Sequence, residues 1–233
     1  MLMHPIRLTA GAGLLCAALA ACDSGTDSAA APAGSSSAAP SVTTSAGAPP
    51  TGIPGAALLQ PADVSGAEPV PLEKGELSHV RPLRPCGDDP YPSDDTRTAA
   101  VAVRYVMEPT ADGKAPTVIA EFVGRHTPGD AAGQFDEVQA ALERCPGGLG
   151  EGERQWKVLG TGLAGDESVL VRIDQKVSYA DEKPETVSHY AALARVNDAI
   201  VVVTDLGWED IGGSEEMVRG LIGKAAERAG TIG

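Results

Sequence analysis

The feature that most constrains this chain is a break in composition near residue 55. From Asp23 to Gly55 nearly every residue is Ala, Gly, Ser, Thr or Pro, with Val42 and Ile53 the only larger apolar side chains and no basic residue. Such a segment cannot bury enough apolar surface to offset the entropy of ordering it. It predicts a disordered tether over 22–55, with a root-mean-square reach of roughly 30 Å for a flexible coil. Proline-rich Ser/Thr tracts of this kind are also frequent carriers of sugar. All folding then falls to 56–233, long enough for one domain with its own core and too short for two.

Ahead of the tether, residues 1–21 read as an export signal: Arg7 lies near the start, and an uncharged, small-and-apolar run follows from Leu8 to Ala21. The run is shorter than the roughly 20 apolar residues that span a bilayer. It ends in Leu19-Ala20-Ala21-Cys22. A Leu three places before a cysteine, with small residues between, is the pattern on which a cysteine thiol is diacylated and then becomes the new amino terminus. Cys16 does not compete, because Leu15 immediately before it blocks the cut. Cys22 is therefore the expected lipidation site, and its two acyl chains, of the palmitate kind, supply the stable anchor that one chain does not. The expected location is the extracytoplasmic face of the cell membrane.

Charge agrees with an anchor made of lipid rather than of basic residues. The chain carries −14 at neutral pH, and losing Arg7 with the signal takes it to about −15. So acidic a chain is a poor ligand for nucleic acid or for an anionic membrane surface. The expected partners are the membrane, through the lipid on Cys22, and a small envelope molecule or a protein of the envelope.

With Cys16 removed and Cys22 acylated, Cys86 and Cys145 remain in an oxidising compartment and are expected to form a disulfide. Closing a loop of about 60 residues stabilises a fold by roughly 4 kcal/mol in the chain-entropy model. Neither cysteine lies in a CxxC or near a histidine, which argues against a metal pair and a redox-active pair.

Periodicity predicts strands first. In 98–107 Val101, Val103, Tyr105 and Met107 alternate onto one face, and a second run starting at Thr117 follows a Gly-containing turn, so the two form a hairpin. Further strands are expected from Gln155, Ser168, His189 and Ala199, with Asn197 and Asp198 turning between the last two, and an initial strand near Leu77 to Leu83. Two helices interrupt them. One carries Ala131, Phe135, Val138 and Leu142 on one face and ends at Cys145 before Pro146 and Gly147. The other starts at Ser214 as cap, has Glu215 and Glu216 at its positive end and Lys224 and Arg228 at the other, and aligns Met217, Val218, Leu221, Ile222 and Ala225. The fold class this implies is α+β: an antiparallel sheet packed against two main helices, with one disulfide.

Searches for chemistry give little. Gly160 to Gly165 match GxGxxG, yet a strand follows where a phosphate-binding loop needs a helix, so the glycines are read as a loop between strands. His79, His126 and His189 lie in no HExxH, and no serine sits in a GxSxG elbow. Asp88, Asp89, Asp94 and Asp95 lack the ligand spacing of a calcium loop and are read as solvated. Trp156 and Trp208, like Phe122 and Phe135, are read as packed. No cofactor, metal or catalytic residue is assigned.

The lipidation motif, the Ala/Ser/Pro tether, the opening ALLQPADVSG, the helix FDEVQAALERC and the loop LGTGLAGDESVLVRI together resemble actinobacterial lipoproteins, and among them the PknH-type extracellular sensor domains. The resemblance implies an antiparallel α+β domain with a ligand-binding cleft. Those domains commonly carry a second disulfide, whereas only Cys86 and Cys145 are left to pair here, and any signalling would pass through another protein. Two function classes follow: a noncatalytic surface lipoprotein with a sensor-like binding domain, or an envelope hydrolase whose site assembles only in three dimensions.

Overall fold

The computed structural model describes residues 52–109, 115–148, 154–178, 183–209 and 211–232. Cys22, the signal and the tether up to residue 51 lie outside the described residues, as does most of the turn expected after Met107.

The described strands are β1 (Val70–Pro71), β2 (Arg97–Met107), β3 (Thr117–His126), β4 (Arg154–Thr161), β5 (Glu167–Val177), β6 (Glu185–Val196) and β7 (Ala199–Asp205); the helices are α1 (Ala131–Arg144) and α2 (Glu215–Ala229). The strands form one antiparallel sheet in the order β1-β2-β3-β7-β6-β5-β4. Both expected hairpins are present. Asn197, at φ 53°, turns β6 into β7, a left-handed backbone that asparagine tolerates better than most residues.

Each face of the sheet is covered. On one face Val103, Tyr105, Ile119, Val123, Ala192, Val201 and Val203 meet α2 and the segment around Leu58, Leu59 and Val64. On the other, Phe122, Trp156, Val171, Ile173, Leu193 and Val202 meet α1 and the loop carrying Val80 and Leu83. β7, at the centre, is buried along its whole length. That is why AIVVVTD reads as a continuous apolar run and not as an alternation. Ile53, placed in the tether by composition, packs on the first core.

Both helices bury the expected stripes. In α1 Ala131, Phe135, Val138 and Leu142 are joined by Gln134 and Ala141. In α2 the Ser214 hydroxyl accepts the Met217 amide, and the buried face runs on to Ala226 and Ala229, with Met217 only partly covered. The last residue of α1 is followed by Cys145, which is bonded to Cys86 at a Cα–Cα distance of 5.3 Å.

The initial strand expected near Leu77 to Leu83 does not form. Its amides turn back on themselves instead: Val80 donates to the Leu77 carbonyl, Arg81 to Ser78 and Arg84 to His79, leaving a single bridge between Val80 and Leu83. Pro82 and Pro85 remove two donors that a ladder would need. The edge position is taken by β1, and the turns of 77–87 become a lid over the second face.

Candidate functional site

The sheet's period of two builds the site. Arg154 stands opposite Gln175, and Trp156 opposite Ile173, which itself stands opposite His189. Trp156 and Ile173 belong to the core beneath α1, so Arg154, Gln175 and His189 share that face at the end of the sheet where β4 and β6 begin. The 77–87 loop closes over them, bringing His79, Arg84, Pro85, Gly87 and Asp88 to a cleft of about 190 Å³ that also includes Lys176. Cys86 sits in the middle of this wall, so the disulfide fixes the cleft to the end of α1.

Among the described residues that line the cleft, cations outnumber carboxylates. The Arg154 Nε donates to Gln175 Oε1 at 3.3 Å, and no carboxylate of the described residues lies within ion-pair distance of its guanidinium. Burial and then the charge of Arg154 hold His79 down to about 4, against a partial offset from Asp88, with His189 adding to the depression. Burial and Arg154 likewise lower His189. Both imidazoles are therefore neutral at pH 7. Asp88 is exposed and accepts the Ser78 hydroxyl at 2.9 Å. Arg84 is already committed, donating to the Asp89 carbonyl and to Asp94 and stacking 4.9 Å over the Tyr91 ring.

His126 is placed elsewhere, in a buried polar network at the far end of α1. Its Nε2 donates to Gln134 Oε1 at 3.1 Å and its Nδ1 lies 2.9 Å from Thr96 Oγ1. Gln134 in turn donates to Ser93 Oγ, which donates to Glu137. A glutamine thus stands between the histidine and the serine, and the carboxylate sits on the serine rather than on the imidazole. That is not the order of a nucleophile, base and orienting acid.

Asp94 joins the same network and overturns its reading as a solvated residue. It pairs with Arg84 and Arg97 and accepts the Tyr91 amide and the Gln134 side chain. Burial alone would raise its pKa, but the Arg84 hydrogen bond, the charges of Arg97 and Arg84 and the Tyr91 amide outweigh it, and the net shift is downward. The carboxylate is structural, holding the loop before β2 to α1. Asp88, Asp89 and Asp95 are exposed as expected, and no cluster of metal-ligating groups occurs among the described residues.

The two tryptophans divide. Trp156 is packed, as expected, but Trp208 is 37 % exposed, with Ile211 beside it at 52 %. Their backbones bond each other in both directions, making a small exposed turn after β7. The Gly160 to Gly165 loop behaves as read: Ser168 Oγ accepts the Leu163 and Ala164 amides, and β5 follows directly.

One buried group escaped sequence reasoning. Glu121 lies on the α2 face at 1 % exposure, accepting the Leu59 amide on both oxygens, with Tyr105 Oη 2.7 Å away. Burial raises it to about 7, although the Tyr105 hydroxyl and Leu59 amide pull the other way. Its signal in the sequence is a lone charged residue among the apolar residues of TVIAEFV in β3.

No protein-family model, curated protein or solved structure matches this chain.

Proposed function

We propose that this chain is a membrane-anchored surface lipoprotein, held on the extracytoplasmic face by lipid on Cys22, whose single folded domain binds a small envelope molecule or protein partner without catalysis. The observation that carries the binding assignment is the cleft at the end of the sheet: rigid strands supply Arg154, Trp156 and Gln175, and a disulfide-fastened loop supplies the opposite wall. Convergent polar groups held in a concave site are what give a binding pocket its orientation and specificity. The anchor assignment rests on Leu19-Ala20-Ala21-Cys22 and the tether composition. A sensor-like role agrees with the resemblance to the PknH-type extracellular domains.

Native mass spectrometry of the chain extracted from its own envelope in mild detergent tests this reading. The expected result is a discrete added mass that departs on denaturation and is absent from a Gln175→Leu variant that still folds. A bare domain, or turnover of the added molecule by the folded protein, contradicts it.

A further inference from the structure

On the reading of the domain as a binding module, we propose that the cleft is an anion site, in which Arg154 takes a phosphate or carboxylate group of a small ligand while the His79 imidazole adds an N–H donor.

The chain is strongly acidic, and Arg84, Arg97, Arg104, Arg172, Arg195, Arg219 and Arg228 each find a carboxylate. Arg154 is half-buried and finds none among the described residues, with which it makes one hydrogen bond, from Nε to Gln175. That bond orients the guanidinium and leaves both Nη groups for a ligand. Two Nη donors in a fixed plane match the paired oxygens of a carboxylate or phosphate.

Lys176 borders the same cleft without an ion-pair partner among the described residues. His79 faces Arg154, His189 and Asp88; the first two oppose its protonation, and an anion seated between them would relieve that opposition. Asp88, on the exposed rim, is the one carboxylate among the described residues that line the cleft. It disfavours an anion at the mouth and leaves the Arg154 end as the place for the charge.

About 190 Å³ is below the roughly 300–1,000 Å³ of pockets for drug-sized ligands. The ligand, or the part of it that enters, has the dimensions of a headgroup. A soluble phosphorylated or carboxylated molecule and the headgroup of an anionic lipid share this chemistry.

Calorimetric titration of the purified full chain in neutral detergent tests the proposal. The probes are sulfate, inorganic phosphate, glycerol 3-phosphate, succinate and monomeric dihexanoyl phosphatidylglycerol, with glycerol as the neutral control. Saturable binding of at least one anion and none of glycerol is expected. Preference for the short-chain lipid over glycerol 3-phosphate assigns the headgroup source, and the reverse assigns a soluble ligand. Arg154→Gln should weaken the best anion at least tenfold, the order expected for one charge-assisted hydrogen bond. Lys157→Gln, which removes the same charge from the opposite face of β4, should leave it unchanged. If Arg154→Gln does not fold, Arg154→Lys replaces it, keeping the charge and losing the fork. Sulfate holds a constant charge between pH 8 and 5, so tighter sulfate binding toward pH 5 that disappears in His79→Gln reports the imidazole directly. Blank titrations of folded wild-type protein with every anion overturn the proposal, as does equal weakening by Lys157→Gln. If the anion titrations are blank while a copurified neutral molecule is lost in Gln175→Leu, only the charge assignment fails. If no ligand of either kind is found, the binding reading fails with it.

Discussion

Glu121 and Leu59, far apart in sequence, meet in the core: both carboxylate oxygens of Glu121 accept the Leu59 amide, at 3.2 and 3.0 Å. This is how the first folded segment after the tether is fastened to the sheet. The attachment is sensitive to protonation, because the carboxyl is buried with no cation bonded to it and its pKa is raised to about 7 from 4.5.

The sign of the resulting pH dependence is fixed. Between pH 4.5 and 7 the folded state holds a proton on Glu121 that the unfolded chain has lost, so stability falls as pH rises across that window. The whole shift corresponds to roughly 3 kcal/mol. Glu121→Gln keeps an acceptor for Leu59 and cannot ionise. Denaturant unfolding at pH 5 and pH 8 should show the variant gaining on wild type at pH 8 and losing most of the decline between the two.

Asp94 acts in the opposite direction. Its depressed pKa means that its contribution is present above the unfolded value of 3.8 and is lost as pH falls through the folded one. Asp94→Asn leaves Arg84 and Arg97, both largely buried, without their shared counter-charge. Breaking a buried pair in this way costs about 3–5 kcal/mol, here reduced because Asp94 retains some exposure. A clear fall in the urea midpoint at pH 7, shrinking toward pH 3, is expected.

Reducing Cys86–Cys145 should act on stability and on binding. The chain-entropy estimate is about 4 kcal/mol for a loop of this length. Pro85 and Gly87, on either side of Cys86, line the cleft, so the reduced protein should also bind its ligand more weakly at temperatures where it remains folded. Thermal melts and titrations with and without reductant measure the two effects.

Gly207 has no tolerated replacement. Its φ is 63°, and a Cβ there would stand 2.0 Å from the Ile211 carbonyl oxygen. Gly207→Ala should destabilise the protein by at least about 1–2 kcal/mol, the ordinary cost of the left-handed backbone, with added loss from the clash. Circular dichroism melts check it. A control, Gly133→Ala, falls in open space within α1 and should stabilise or be neutral.

Cys22→Ser should move the protein from the membrane fraction to the medium or leave it unprocessed, as read by fractionation and by the mass of its amino-terminal peptide. A normally processed form that still needs detergent runs against lipid attachment at Cys22.

Those features of the fold written as periodicity were legible in the sequence. The alternation of Val101 to Met107, the stripe of Ala131 to Leu142 and the cap at Ser214 each reappear in place, because period and capping are local properties of the chain. Pairing Cys86 with Cys145 was a matter of arithmetic. The cleft was not legible, since Arg154, Trp156, Gln175 and His79 come from two strands and a loop, and only the register of β4 and β5 makes the strand residues neighbours. Asp94 was misread for a related reason: its arginines arrive from ten residues upstream and three downstream, and Gln134 of α1 bonds Asp94 and Arg97. Trp208 was misread because a turn held by its own backbone leaves the ring outside the core.

The claim that the domain binds at the sheet-end cleft is tested most directly by titrating the small-molecule fraction of the cell envelope onto isotopically labelled protein and following its amide and indole resonances. Saturable shifts concentrated at His79, Arg154, Trp156 and Gln175 are expected, with the fraction recovered chemically unchanged. Shifts centred on the Trp208 turn or along α2, or consumption of a component by the folded protein, contradict it.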